Sequence, residues 1–174
     1  MIFTSKAQAK RITGIGYLGS VSKTHKHIKS INYHELTYSL YLAPANLSGY
    51  EVCPMRSVEC TMLCLNNSGM ALQYTDHINA SRIKKTKLFF EHREFFMRWL
   101  IFEIKQAKLK ADKYGYKFSV RLNNTSDISP LSFYIREGNT TKNILEIFPK
   151  IKFYDYSKVP NRAEIMKKYK NYDL

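Results

Sequence analysis

The pattern of apolar and polar residues predicts strands and helices that alternate along the chain. Leu36–Ala43 combines β-branched, aromatic and aliphatic residues without glycine or proline, which is typical of a strand. Residues 116–122 alternate between polar and apolar side chains, and residues 151–156 form a further short run rich in aromatic residues. We therefore predict a strand at each of these segments.

Between the first two of these strands, the apolar residues follow a helical period. From Phe96 to Tyr114 they recur every three or four positions, lysines lie mostly on the other side, and Gly115 ends the pattern. Shorter helices are predicted at 143–148 and 161–169, with Asn161 as the N-cap of the second. Strands that alternate with helices predict an α/β fold with a parallel sheet and right-handed crossovers.

The same pattern divides the chain into a basic, irregular N-terminal segment, residues 1–35, and an α/β domain, residues 36–174. Within the segment, Gly14-Ile-Gly16-Tyr-Leu-Gly19 matches the G-x-G-x-x-G motif. That motif binds phosphate when a buried strand precedes it and a helix follows, and neither pattern is clear here. We therefore expect a glycine-containing turn. His25 and His27 stand among lysines and are expected to belong to an exposed basic arm.

Basic residues outnumber acidic ones by 28 to 14, which gives a formal net charge of +14. Such a charge favours polyanionic partners, DNA or RNA among them. Lys84, Lys85 and Lys87 are the candidate phosphate contacts, with tyrosines available to stack on bases. A protein that is merely rich in lysine has the same composition, so the charge alone does not establish nucleic-acid binding.

No run of apolar residues approaches the length of a membrane-spanning helix, and the N-terminus does not have the apolar core of a secretion signal. We therefore expect no membrane association and a cytoplasmic location.

All 3 cysteines of the chain, Cys53, Cys60 and Cys64, lie within one short segment at the spacing C-x6-C-x3-C. In a cytoplasmic protein, clustered thiols favour a metal site over disulfides. Thiolates that converge on one point repel each other unless a cation neutralises them, as zinc or an iron–sulfur cluster does. The alternative is that they are small buried apolar residues.

Three thiolates leave one coordination position open. On zinc, this position would be filled by water, by His77 or by a carboxylate. On a four-iron cluster, it is a position where a cofactor or substrate can bind. The location of the cysteines just after a strand favours the iron–sulfur cluster, with zinc as the alternative.

Polar side chains follow each of the other two predicted strands, and parallel strands bring such ends to one edge of a sheet. Arg121 lies near the end of the second strand, and Asn123 and Asp127 follow it. Asp155 lies near the end of the third strand, and Lys158 follows it. Ordinary turns also contain such residues. A carboxylate between two tyrosines in a strand is costly to bury unpaired, however. We therefore predict Asp127, Asp155 and Lys158 as catalytic residues, and Asn123 and Arg121 as cofactor-binding residues.

Several motifs distributed along the chain are shared with one known family. They are residues 41–50, the cysteines with Cys64-Leu65, residues 82–89, residues 120–128, Phe148-Pro149 and residues 153–158. On these motifs, from about Gly14 to Arg162, the chain resembles the phage gene product 88 family. The resemblance implies an origin in a phage or mobile element more firmly than it implies any reaction.

The chain departs from this family in two places. Members have an Arg-Gly pair after the third cysteine, where this chain has Gly69-Met70, and they continue through further strands beyond residues 153–158. The resemblance therefore implies a partial, half-barrel-like parallel sheet. An open half barrel exposes a sheet edge, which self-association or a protein partner would have to cover.

A more distant resemblance is to radical S-adenosylmethionine enzymes, in which a three-cysteine loop follows a strand and precedes βα units. Their usual spacing is C-x3-C-x2-C, which differs from the spacing here. This resemblance implies S-adenosylmethionine as a cofactor, on fold-level analogy alone.

The sequence leaves three functions open, one catalytic and two not. The first is an iron–sulfur enzyme of the radical type. The second is a non-catalytic, basic nucleic-acid-binding protein with a structural metal site. The third is a phage factor that binds a host protein.

Overall fold

The computed structural model describes residues 1–21, 33–67 and 74–174, with only the backbone described for Leu65. In these ranges, the α-helices are α1 (Lys6–Thr13), α2 (Val58–Met62), α3 (Thr75–Glu91), α4 (Arg93–Lys113), α5 (Ile144–Ile147) and α6 (Ala163–Lys168). The β-strands are β1 (Gly19–Ser20), β2 (Glu35–Leu40), β3 (Lys117–Arg121), β4 (Tyr134–Glu137), β5 (Thr140–Asn143), β6 (Lys152–Tyr154) and β7 (Tyr172–Asp173). The expectations for His25, His27 and Gly69-Met70 lie outside the described residues.

The main sheet has five strands in the order β1-β2-β3-β6-β7. Strands β2, β3, β6 and β7 are parallel, while β1 is antiparallel to β2. The register pairs Tyr38 with Val120, and Val120 with Phe153. The prediction of an α/β fold built on a parallel sheet is therefore confirmed.

Helix α4 supplies much of the core that covers this sheet. Its fully buried side chains include Phe96, Trp99, Leu100 and Ile104. They pack in one hydrophobic cluster with Tyr38 and Leu40 of β2 and with Val120 of β3. Strand β2 is buried at every position after Glu35, as expected for a central strand of a parallel sheet.

The N-terminal segment is neither irregular throughout nor separate from the core. Helix α1 begins after Ser5, whose side chain accepts a hydrogen bond from the Gln8 amide, and ends at Gly14 in the left-handed conformation. The core cluster includes Ala9, Ile15 and Leu18. Residues 1–21 therefore contribute to the same core as the α/β region.

A buried carboxylate attaches this segment to α4. Glu103, which is 4% exposed, accepts hydrogen bonds from the backbone amides of Leu18 (3.1 Å) and Gly19 (3.0 Å). It also accepts one from the Tyr38 hydroxyl at 2.7 Å. Gly19 lies so close to Tyr38 that an added Cβ would be 2.4 Å from its ring. Gly14 therefore ends α1, and Gly19 allows the close contact with Tyr38. The G-x-G-x-x-G match is preceded by helix α1 and not by the strand that a phosphate-binding motif requires.

Two predicted features differ in detail. Asn161 is not the N-cap of the last helix, since Pro160–Arg162 forms a 3-10 turn and α6 begins only at Ala163. The hairpin of β4 and β5 was not predicted, because its exposed residues are polar and only Ile135 and Asn143 are buried. Asn143, by contrast, forms a capping box with Glu146 at the start of α5, as its position before an apolar run suggests.

Both edges of the main sheet are formed by strands of two residues, β1 and β7. Tyr172 of β7 is 1% exposed and covers the side of β6 that a half barrel would leave open. Very short edge strands offer little backbone for pairing with another chain. On the side of β1, however, only Ser39 and Leu40 of β2 are paired by a described strand, so the expected protein partner stays a prediction. Among the described residues, no helix is both long and apolar enough to cross a membrane.

Candidate functional site

A cavity of about 330 Å³ lies where the loops after β2, β3 and β6 meet. The cysteine loop lines it together with residues at and after the ends of β3 and β6. Its lining residues are Cys53, Arg56, Cys60, Leu63, Cys64, Arg121, Asn123, Asn124, Thr125, Ser126, Asp127, Tyr156, Ser157 and Lys158. The carboxyl ends of the parallel strands thus meet the cysteines, as the predicted topology requires.

A second cavity, of about 230 Å³, lies on another side of the cysteine loop. It is lined by the same Cys53, Cys60 and Cys64, together with residues 44–47 and the asparagines Asn66, Asn67 and Asn79. The thiols therefore lie between two cavities. The predicted fourth ligand His77 is on α3 and lines neither of them.

Local hydrogen bonds hold the cysteine loop in place. Glu51 accepts a hydrogen bond from the Cys53 amide at 2.8 Å and forms an ion pair with Arg56 at 2.9 Å. Ser57 caps α2 by accepting a hydrogen bond from the Cys60 amide at 3.1 Å. Helix α2 itself buries no residue, so few contacts with the core restrain the thiol of Cys60.

All 3 thiols are free and half-buried. Burial raises the pKa of Cys53, and the charges of Cys64, Glu51 and Asp127 raise it further. Its Sγ lies 3.9 Å from the Thr125 carbonyl oxygen, which accepts a hydrogen bond from the neutral thiol. A nearby cation would reverse this balance and favour the thiolates.

No group of three or more His, Cys, Asp or Glu side chains among the described residues is placed to hold a metal ion as the side chains stand. The donor set still suits a metal, because free thiols from two neighbouring segments line the same cavity. Ligation would require the side chains of the loop to converge. The weak attachment of α2 to the core permits such a movement.

Asn123 organises the loop that follows β3. Its Oδ1 accepts hydrogen bonds from the Ser126 hydroxyl at 2.8 Å and the Ile128 amide at 3.0 Å. Its Nδ2 donates to the Ile128 carbonyl at 2.8 Å and to Asp155 at 2.9 Å. Since both polar atoms of this buried amide have protein partners, Asn123 shapes the wall of the cavity.

Asp155 lies behind that wall and does not line the cavity. It is 2% exposed and accepts hydrogen bonds from the Asn123 amide (3.1 Å), the Asn123 side chain (2.9 Å) and the Tyr172 hydroxyl (3.4 Å). Burial raises the pKa of this carboxyl to about 6, although the hydrogen bonds from Asn123 oppose the shift. The structure thus places Asp155 behind the cavity wall, where it joins two strand ends, and the catalytic role predicted for it stays a prediction.

Asp127 lines the cavity, but both of its carboxylate oxygens have protein partners. Oδ1 accepts hydrogen bonds from the Ser157 hydroxyl at 2.6 Å and from Arg162 at 3.0 Å. Oδ2 accepts one from the Lys158 amide at 2.9 Å. Asp127 therefore ties the loop after β3 to the loop after β6.

Arg162 completes this connection and was not among the predicted site residues. It is 3% exposed and also donates to the carbonyl oxygens of Ile128 (2.9 Å) and Asp127 (3.0 Å). No local pattern distinguishes this arginine from the surface arginines of the chain. Only the three-dimensional contacts show that it joins α6 to the cavity wall.

Arg121 and Lys158 present the cationic groups on this side of the cavity. The Arg121 guanidinium carbon lies 4.6 Å from the centre of the Tyr156 ring. Among the described residues, neither Arg121 nor Lys158 forms an ion pair with a carboxylate. The side chain of Lys158 is exposed at the rim.

The predicted phosphate contacts on α3 do not form a common surface. Lys84 and Lys87 are exposed, whereas Lys85 is 5% exposed and its ammonium lies 4.7 Å from the centre of the Tyr17 ring. Burial lowers the pKa of Lys85 to about 8, and the charge of Glu103 opposes the shift. Lys85 is therefore unavailable to a phosphate backbone, and of the predicted set only Lys84 and Lys87 are accessible.

The buried ammonium of Lys85 leads to a pH-dependent prediction. The folded-state pKa of about 8 is below the unfolded value of 10.5, so ionisation of Lys85 opposes folding most strongly below pH 8 and less as the pH rises. A pKa shift of this size means that the charged lysine destabilises the folded state by about 3 kcal/mol. Replacing the lysine also removes its contact with the Tyr17 ring, which stabilises the folded state by about 1 kcal/mol. We expect Lys85→Met to raise the free energy of unfolding at pH 7 by about 2 kcal/mol.

Urea denaturation of both proteins at a series of pH values measures this effect. Between pH 8 and 10.5 the stability advantage of Lys85→Met should diminish, because the wild-type lysine becomes neutral in the folded state. Lys84→Met removes the same charge from an exposed neighbour and should show no such trend. An equal pH dependence for the two variants would contradict the prediction.

Comparison with known families identifies one relation. The model of the Gene product 88 family matches residues 4–174, which covers the α/β region, the cysteine loop and most of the N-terminal segment. No curated protein and no solved structure matches the chain. The more distant resemblance to radical S-adenosylmethionine enzymes receives no support from these comparisons. The expected phage origin is supported, and the chain belongs to the Gene product 88 family.

Proposed function

We propose that this protein binds a metal through Cys53, Cys60 and Cys64, and that the metal centre is an iron–sulfur cluster. The observation that carries the proposal is that all 3 free thiols line a single cavity at the carboxyl edge of the parallel sheet. Cysteines that serve only as small apolar core residues would be fully buried, whereas each of these is half-buried and only Cys53 packs against the core cluster of the described residues. Zinc is the alternative metal.

A cluster held by three thiolates would supply an iron with an open coordination position at which a cofactor or substrate binds. The residues that face this position come from the loops after β3 and β6. Arg121 and Lys158 supply positive charge, and Tyr156, which is 68% exposed, supplies an aromatic surface. S-adenosylmethionine as the bound cofactor is the finer form of the proposal and rests on analogy of fold.

The two carboxylates that we predicted as catalytic have other tasks in this proposal. Asp127 and Asp155 accept hydrogen bonds that join the strand ends, so neither is free to exchange a proton with a ligand. Asp127 and Lys158 both line the cavity, but of these two only Lys158 has a charged group without an ion-pair partner among the described residues. The proposal therefore assigns binding and exclusion of water to this chain, and leaves the reactive chemistry to the metal centre.

Anaerobic purification followed by metal analysis and visible spectroscopy tests the proposal. After reconstitution with iron and sulfide, the protein should bind iron in a fixed ratio and absorb visible light through thiolate-to-iron charge transfer. Bound zinc with no visible absorption would support the alternative metal. Protein that contains neither metal above the level of a control basic protein would contradict the proposal.

The net charge of +14 supports one second candidate, a non-catalytic nucleic-acid-binding protein with a structural metal. Lys84 and Lys87 on α3 are the accessible residues for this role. It predicts binding to DNA or RNA that weakens steeply with salt. Binding that is absent even at low ionic strength would exclude it. The capture of a host protein has less support, because the edge strands of the sheet are short.

A further inference from the structure

The arginine at the end of β3 has an unusual environment. Arg121 stacks its guanidinium on Tyr156 and lines the cavity, and its Nε is buried without any hydrogen-bond partner in the described part of the chain. A buried donor that lacks an acceptor costs about 1–3 kcal/mol. Because Nε is buried, the part of the guanidinium that lines the cavity is the part that can donate to an acceptor from outside the chain.

The acidic groups around the cavity have partners of their own. Asp127 is engaged by Ser157, Lys158 and Arg162, and the oxygens of Asp155 are taken by Asn123 and Tyr172. Glu51 forms an ion pair with Arg56, which also lines the cavity, so the charge of Arg56 is already neutralised. Arg121 and Lys158 attract the carboxylates of Asp155 and Glu59, respectively, but neither cation forms an ion pair in the described part of the chain.

We propose that Arg121 and Lys158 bind an oxyanion group, a phosphate or a carboxylate, of a small organic ligand. The planar guanidinium donates hydrogen bonds in a fork that matches either group, and the lysine adds a flexible charge. A cavity of about 330 Å³ suits a small molecule and is too small for a folded partner. The ring of Tyr156 and the side chain of Leu63 provide apolar surface for the rest of the ligand.

The inference deepens the proposed function, because it names the class of ligand that binds beside the metal centre. Arg121 ends β3 and Lys158 follows β6, while the thiols belong to the cysteine loop that lines the same cavity. A ligand whose anionic end binds these cations extends its other end towards the cysteines. The two cations thus orient the ligand by holding its anionic end.

NMR titration of metal-free protein with pyrophosphate and, separately, with citrate tests the inference. The Arg121 Nε–H signal and the amide signals of residues 123–128 should shift with at least one probe. Arg121→Met should weaken its binding at least about tenfold, which is about 1.4 kcal/mol. Arg121→Lys, which keeps the charge but loses the fork, should show an intermediate affinity.

Lys117→Met is the matched control, since Lys117 is an exposed cation at the other end of the same strand. It lowers the net charge equally and should leave the affinity unchanged. Equal affinities for the two methionine variants, or shifts spread over the basic surface without Arg121, would overturn the inference. Preference for pyrophosphate or for citrate assigns the anion as phosphate or carboxylate.

The same samples separate this inference from the proposed function. Because the titration uses metal-free protein, anion binding does not depend on whether the cysteines bind a metal. Protein that binds metal but no anion would overturn only the inference. Protein that binds the anion at Arg121 but takes up no metal would overturn only the proposed function.

Discussion

Cys60→Ala is expected to lower the amount of metal bound per chain by at least about tenfold, because even the loss of a residue that only supports the ligands lowers metal affinity about 10–100-fold. The thiolate is a direct ligand in the proposed centre, and two remaining thiolates cannot complete a three-cysteine site. Metal analysis of the reconstituted variant and its visible spectrum measure the loss. The fold should be unaffected, because α2 buries no residue.

Met62→Ala is the matched control for this variant. Met62 lies in the same short helix, carries a sulfur atom and is 70% exposed, but it is not a thiol. Its removal should leave metal content and spectrum unchanged. Cys60→Ala with wild-type metal content would show that the centre does not use this cysteine, and Cys53→Ala and Cys64→Ala would then be compared in the same way.

Arg162→Met is expected to lower the free energy of unfolding by about 3 kcal/mol, near the lower limit for breaking a buried ion pair. The substitution removes hydrogen bonds to Ile128 and to Asp127, and it leaves the Asp127 carboxylate with only Ser157 and the Lys158 amide. The side chain of Asp127 is 12% exposed, so water compensates little of the loss. Urea denaturation measures the change.

Lys167→Met provides the comparison, because it breaks an ion pair on the surface of the adjacent helix. Lys167 and Glu164 are 73% and 64% exposed, and an ion pair of this kind contributes at most about 0.5 kcal/mol. Arg162→Lys should be nearly as harmful as Arg162→Met, since one ammonium cannot replace the fork. A loss for Arg162→Met no greater than that for Lys167→Met would show that the loops after β3 and β6 are held together by other contacts.

The role of Arg162 also bears on the ligand site. Arg162 and Asp127 join the two loops that carry Arg121 and Lys158, and Asp155 joins the same loops from behind. These polar contacts set the distance between the cationic groups of the cavity. The predicted catalytic carboxylates thus act on the site through its walls.

The elements recovered from the sequence are those whose apolar period is strong. Strands β2, β3 and β6 and helix α4 were predicted close to their observed bounds, because each directs a regular set of apolar side chains to one core. Helix α3 was missed as a helix. Its buried face includes Lys85 and Thr86 beside Leu88 and Phe89, so its hydrophobic pattern is weak.

The sequence by itself determined the alternation of strands and helices, the clustering of the cysteines and the polar residues that end β3 and β6, since all of these depend on local order along the chain. Only the tertiary structure decided which polar groups pair. It assigned Asp155 to Asn123, Asp127 to Arg162 and Lys85 to the interior, and it left Arg121 facing a cavity. The physical reason is that a buried polar group takes its partner from segments 30 or more residues away, and sequence spacing carries no record of that contact.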